Sequence, residues 1–176
     1  MADFGPFLPI LLKFEGGFVD DPDDPGGATN KGITMKTFNS CAQKLLGVQP
    51  TLANLKAISD DQAGIIYKAL YWDKVRGDDL TSQQLANIVC DFYVNSGANA
   101  AKLLQRTINS LGGIVEVDGG IGKDTLKALA KLDQIVVYRE YKLGRITFYQ
   151  NLVKDNPNLK KFLKGWLNRV NAFPDL

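Results

Sequence analysis

Glu15 ends an apolar stretch in the run Phe14-Glu15-Gly16-Gly17-Phe18, and four aspartates, Asp20, Asp21, Asp23 and Asp24, follow within nine residues. A carboxyl group at the C-terminal end of a helix meets the negative end of the helix dipole, and two phenylalanines stand ready to cover it. Both effects favour the protonated form. Such a carboxyl can hand a proton to a leaving oxygen near neutral pH. The double glycine lets the next segment fold back over the helix end, which brings a second carboxylate into reach. Paired carboxyls of this kind cleave glycosidic bonds: one donates the proton, and the other attacks the sugar at about 5–5.5 Å separation or activates water at about 6.5–9.5 Å. Spacing in sequence does not choose between these geometries. Thr29 and Thr34 add hydroxyls able to orient water.

Plainer roles fit the same residues. Aspartates clustered with prolines are ordinary turn formers, and Asp20, Asp21 and Asp23 suit that role. Glu15 can equally be a surface glutamate that happens to end a helix. A calcium loop fits less well, because the Asp-x-Asp-x-Asp-Gly pattern with its closing glutamate is missing.

The chain contains no histidine, which removes Ser-His-Asp and Cys-His hydrolysis and most catalytic zinc sites. Cys41 and Cys90 lie far apart and outside any Cys-x-x-Cys spacing, so each reads as a buried free thiol. The carboxylate chemistry needs no metal and no organic cofactor. Twenty-one basic and 19 acidic residues leave a net charge of +2, too slight for nucleic-acid binding by bulk attraction. Nothing approaches the roughly 18–20 apolar residues of a membrane span. The apolar run at residues 7–12 is read as a helix of the mature protein rather than a Sec signal, because Asp3 precedes it and Lys13-Phe14-Glu15 follow.

The elements that must position the carboxyls are helical. Asp3 is a candidate cap for a first helix reaching Phe14, with Gly16-Gly17 as its stop. Residues 18–33 carry four aspartates, two prolines and three glycines without helical period, which predicts an ordered loop or short hairpin. A helix follows over about 34–46, closed by Gly47, and Thr51 opens a short one. Ser59 to Gln62 and Thr81 to Gln84 read as capping boxes. Further helices are expected over about 100–111, after Gly122 and over about 133–154. The last opens at Asn156-Pro157 and buries Leu159, Phe162, Leu163, Trp166 and Val170. Eight helices and almost no strand make an all-α fold.

Glu15-Gly16-Gly17-Phe18-Val19, followed by Asp23-Asp24-Pro25-Gly26-Gly27-Ala28-Thr29-Asn30-Lys31-Gly32-Ile33-Thr34, resembles the signature of glycoside hydrolase family 108, bacterial and phage N-acetylmuramidases once described as secretion activators. The order of glutamate, aspartate and threonine also resembles the Glu-Asp-Thr set of phage-type lysozymes, which implies Asp24 and Thr29 as partners of Glu15. Tyr71-Trp72 is similar to an aromatic pair of the family, and Asp91-Phe92-Tyr93-Val94-Asn95-Ser96-Gly97 to its Asp-x-x-x-Asn-x-Gly segment. Leu104-Gln105, Asp118-Gly119, Gly122 and Thr125 resemble a helical peptidoglycan-binding module.

The resemblance implies a lysozyme-like helical domain over residues 1–95, with a short irregular or hairpin active-site loop, packed as one compact unit with a peptidoglycan-binding-like module over 96–176. It implies a monomeric N-acetylmuramidase that cleaves the β-1,4 bond between N-acetylmuramic acid and N-acetylglucosamine. Glu15 is then the proton donor, Asp24 the base or charge stabiliser, and Thr29 or Thr34 the water-orienting group. Peptidoglycan glycan strands are the expected partner. The place of action is the periplasm or cell wall, reached through a holin-like pore or another non-Sec route. Aromatic rings stack on sugar faces, so Tyr71, Trp72 and Tyr93 are candidate platforms, with core the equal reading for Trp72 and Tyr93. Phe162 and Trp166 are assigned to the core. Asn95 is either a backbone cap or a donor to an acetamido group. A non-catalytic wall-binding secretion helper and a lytic transglycosylase are the alternative functions.

Overall fold

Most helix starts in this chain are set by a hydroxyl or carboxylate that accepts a backbone N–H left over at the first turn. A computed structural model describes residues 1–20 and 27–176, and among these it contains nine α-helices and one two-stranded antiparallel sheet. The fold is all-α. The described chain divides into two compact units, Phe4–Leu70 and Met1–Asp3 with Tyr71–Leu176.

In the unit Phe4–Leu70, α1 (Leu8–Glu15) is followed by β1 (Thr29–Asn30), β2 (Ile33–Thr34), α2 (Met35–Leu46), α3 (Leu52–Lys56) and α4 (Asp60–Tyr67). Thr34 caps α2 by accepting the Thr37 N–H, and Gly47 closes that helix at φ 70°, a left-handed conformation that suits glycine. Thr51 caps α3. Ser59 and Gln62 form a complete capping box at α4, each side chain taking the other's N–H at 3.1 and 3.0 Å. Phe7, Leu11, Phe38, Leu55 and Ile66 are fully buried and make the core. Burial of each such side chain stabilises by roughly 1.5–3 kcal/mol.

In the other unit, α5 (Gln83–Ser96) packs on α6 (Asn99–Ser110) and on α8 (Gln134–Asp155). The shorter α7 (Lys123–Leu129) lies against α6, and α9 (Lys160–Asn171) against α8. Asp133 caps α8 through the N–H groups of Ile135 and Val136. Cys90 is buried here, and burial, followed by the nearby Asp91 and Asp73 charges, pushes its thiol well above the ordinary range. Cys41, in the first unit, is likewise a buried free thiol.

Three expectations change. The first helix begins at Leu8, not after Asp3: Phe4 accepts the N–H groups of Phe7 and Leu8, so residues 4–7 make a separate turn around Pro6, which has no N–H to give. The cap of α5 is Ser82, one residue past the start of the expected box, with Leu85 as its donor at 3.2 Å. Phe162 is 47% exposed rather than core, while Val170 on the same helix is fully buried.

Candidate active site

Glu15 is the last residue of α1 and half-buried. After the double glycine the chain returns beside β1: Val19 and Thr29 exchange both backbone hydrogen bonds at 2.7 Å. Thr29 thus lies between Val19 on one side and its ladder partner Thr34 on the other. The two-residue connection from β1 to β2 is Lys31-Gly32, at φ 50° and 76°. Positive φ at both central positions is the pattern of a type I′ turn, whose twist matches that of paired strands.

Alternation along the hairpin separates two faces. Asn30 and Ile33 point inward, 6% and 2% exposed, while Thr29 and Thr34 are half-buried on the other face. Asn30 Nδ2 donates to the Leu55 and Lys56 carbonyls at 3.0 Å each, at the end of α3. At the tip, Tyr67 at the end of α4 donates its hydroxyl hydrogen to the Lys31 carbonyl at 2.9 Å, and Lys31 Nζ pairs with Asp60 at 2.5 Å.

Gly32 brings this hairpin against Glu15. A Cβ placed on Gly32 would lie 2.3 Å from the Tyr67 hydroxyl, 2.5 Å from Glu15 Oε2 and 2.8 Å from Glu15 Cβ. The turn backbone therefore fills the space beside the carboxylate and the phenol, and no side chain fits. The flanking phenylalanines are both half-buried, and Phe18 also carries Lys56 Nζ 5.2 Å over its ring.

The other candidates fare differently. Asp24, like Asp21 and Asp23, lies outside the described residues, and the calcium reading falls there as well. Thr29 Oγ1 donates to the Gly27 carbonyl only at 3.5 Å, whereas the Thr34 hydroxyl is taken up by its cap and by Thr37 Oγ1 at 3.1 Å. Tyr71, Trp72, Tyr93 and Asn95 belong to the unit Tyr71–Leu176. Trp72 is a correction: it is fully buried, its indole N–H donates to Asp78 at 2.6 Å, and it has no open face for a sugar. Tyr71 and Tyr93 are half-buried and meet edge to face at 6.4 Å. Asn95 is exposed and donates to the Asp91 carbonyl at 2.7 Å, the backbone role among its two readings.

Sequence reasoning overlooked Gly32 and Tyr67 as neighbours of Glu15. Asn-Lys-Gly between two short apolar-polar pairs is a legible turn signal. Nothing local marks Tyr67, 36 residues away from its carbonyl partner. Among the described residues no group of three or more His, Cys, Asp or Glu side chains is placed to hold a metal, and no helix is long and apolar enough to cross a membrane.

Comparison with known proteins gives the family. Residues 8–97 match the family model described as Glycosyl hydrolase 108. The chain belongs to that family. A second model, described as Predicted Peptidoglycan domain, matches residues 99–171. This member of glycosyl hydrolase family 108 is similar to the solved structure of SagA from Brucella abortus, with a TM-score of 0.76 and 36% identity over 97% of this chain and 90% of that one. No curated protein matches it. The family makes the chain a glycoside hydrolase, and the two domains together make it a protein that acts on peptidoglycan.

Proposed function

We propose that this chain is an N-acetylmuramidase, hydrolysing the β-1,4 bond between N-acetylmuramic acid and N-acetylglucosamine, with Glu15 as the proton donor. The observation that carries the reading is the seat of Glu15: a helix-terminal carboxyl, half-buried, held against the turn of the hairpin that also carries Thr29. Protonation of the glycosidic oxygen by Glu15 makes the leaving group neutral as the bond breaks. Asp24 takes the role of base or charge stabiliser and Thr29 orients the attacking water, which gives an inverting reaction. Tyr71 and Tyr93 supply aromatic surface for sugar rings. Peptidoglycan lies outside the cytoplasmic membrane, so the place of action is the periplasm or cell wall.

The test is digestion of purified peptidoglycan with wild type and Glu15→Gln. Loss of a general acid costs about 10²–10⁴-fold in rate. The variant is expected to release reducing ends that much more slowly at unchanged helical content. Mass spectra of the wild-type products should show addition of water. Anhydro-muramic ends would make the enzyme a lytic transglycosylase, and binding without any reducing-end release would make it a non-catalytic wall-binding protein.

A further inference from the structure

We propose that Tyr67 is a positioning residue for Glu15, acting through the Lys31-Gly32 turn; this rests on the reading of Glu15 as the proton donor. Tyr67 is 1% exposed, so its ring cannot reach a glycan strand, and a phenylalanine would fill the same space. What the hydroxyl adds is a donor, and it donates to the carbonyl of Lys31 at 2.9 Å. That carbonyl belongs to the peptide joining Lys31 to Gly32, so the bond fixes the orientation of the unit whose Cα touches Glu15.

The turn needs such a restraint. Lys31 stands at φ 50°, a conformation that non-glycine residues adopt at a cost, and relaxation of that residue would rotate the Lys31-Gly32 peptide. The Glu15 side chain would then gain the space that the Gly32 backbone now fills, and with it rotamers that point the carboxyl away from a productive angle. The strands themselves are anchored independently, because Asn30 bonds twice to the end of α3. The hydroxyl is therefore dispensable for forming the hairpin and specific to the setting of its tip.

The experiment compares wild type, Glu15→Gln, Tyr67→Phe and Asp60→Asn on soluble glycan strands, with far-UV circular dichroism on each. Misplacing a reacting group by about 1 Å costs up to about 10²-fold in rate. Tyr67→Phe is accordingly expected to lower kcat about 10- to 100-fold with KM unchanged and native helical content. Asp60→Asn, which weakens only the exposed ion pair on the same turn, is expected to keep wild-type kcat. A wild-type kcat in Tyr67→Phe beside an inactive Glu15→Gln would overturn the positioning role alone. So would an equal loss in Asp60→Asn, or a loss of kcat matched by a lost folded fraction, since either makes the effect a general loosening. Full activity in Glu15→Gln would remove the proton-donor reading and this proposal with it.

Discussion

Asp91 and Glu15 are both carboxylates in segments that carry the family resemblance, and their surroundings are opposite. Asp91, on α5, is completely buried and accepts from Arg145 Nη2 of α8 at 2.6 Å and from Arg169 of α9 at 2.8 and 3.0 Å. Arg145 is itself fully buried, its guanidinium 5.0–5.8 Å from the rings of Phe92, Tyr149 and Phe173, with Nε and Nη1 lacking hydrogen-bond partners among the described residues. Glu15 ends its helix half-buried, against a glycine backbone. The carboxylate clamped by two guanidiniums ties three helices together. The carboxylate beside the Lys31-Gly32 turn stays partly open to solvent. Packing around the same functional group thus makes one carboxylate a cross-link between helices and leaves the other partly accessible.

The sharpest way to break this comparison is Asp91→Asn. Removing one partner from a buried ion cluster leaves the other charges uncompensated and costs about 3–5 kcal/mol. Urea unfolding should show that loss for Asp91→Asn. Glu15→Gln should stay within about 0.5 kcal/mol of wild type, as substitutions away from buried networks do. Equal stability losses in the two variants would mean that Glu15 is a structural carboxylate too.

A smaller effect is expected where the hairpin is anchored by neutral groups. Asn30→Ala removes both hydrogen bonds from the hairpin to the end of α3, a cost of about 1–3 kcal/mol. Amide hydrogen exchange should locate the loosening in residues 29–34 and leave the helices around Asp91 protected. Uniformly faster exchange would show that the hairpin and the Asp91 cluster are not separate devices.

What could be read from the sequence follows the range of the interactions. Thr34, Thr51, Ser59 with Gln62, and Asp133 cap helices through contacts no more than three residues away; Thr51 and the Ser59 box were legible as start signals, and Thr34 and Asp133 stand at the expected starts of their helices. The hairpin is one of the two expected forms for its segment, because Asn-Lys-Gly is a local signal. Glu15 at the end of α1 was legible for the same reason. Tyr67 was not, since nothing near it in sequence says that its hydroxyl reaches Lys31. Trp72 stood open between core and platform and Phe162 was assigned to the core: both lie in aromatic-rich helical sequence, and only tertiary packing decides that the first is covered by Gly77 and Asp78 while the second stands 47% exposed. The motif residues of the second module turn out to bond one another. Gln105 donates to Asp118 and to the Gly120 carbonyl and accepts the Gly119 N–H, so their pattern encodes a loop scaffold.

Asp118 supplies the mildest test, as a third kind of carboxylate: exposed, and held by amides alone. The Gly120 N–H at 2.8 Å and then the Gln105 side chain at 2.6 Å keep its carboxyl below the ordinary carboxylate range. A folded-state pKa below the unfolded value adds stability that is present above the unfolded pKa and is lost as pH falls through the folded one. Between neutrality and the ordinary carboxylate range, Asp118 should therefore contribute no pH dependence; its contribution should fade only in more acidic solution. Carboxyl-detected NMR titration should place Asp118 low in wild type and nearer the ordinary value in Gln105→Ala, where the side-chain donor is gone and the backbone N–H groups of Gly120 and Asp118 remain. Full solvent access limits the size of the effect, because water screens what the amides supply. An unchanged titration in Gln105→Ala would mean that the backbone N–H groups fix the carboxylate, and that the glutamine serves only the loop backbone.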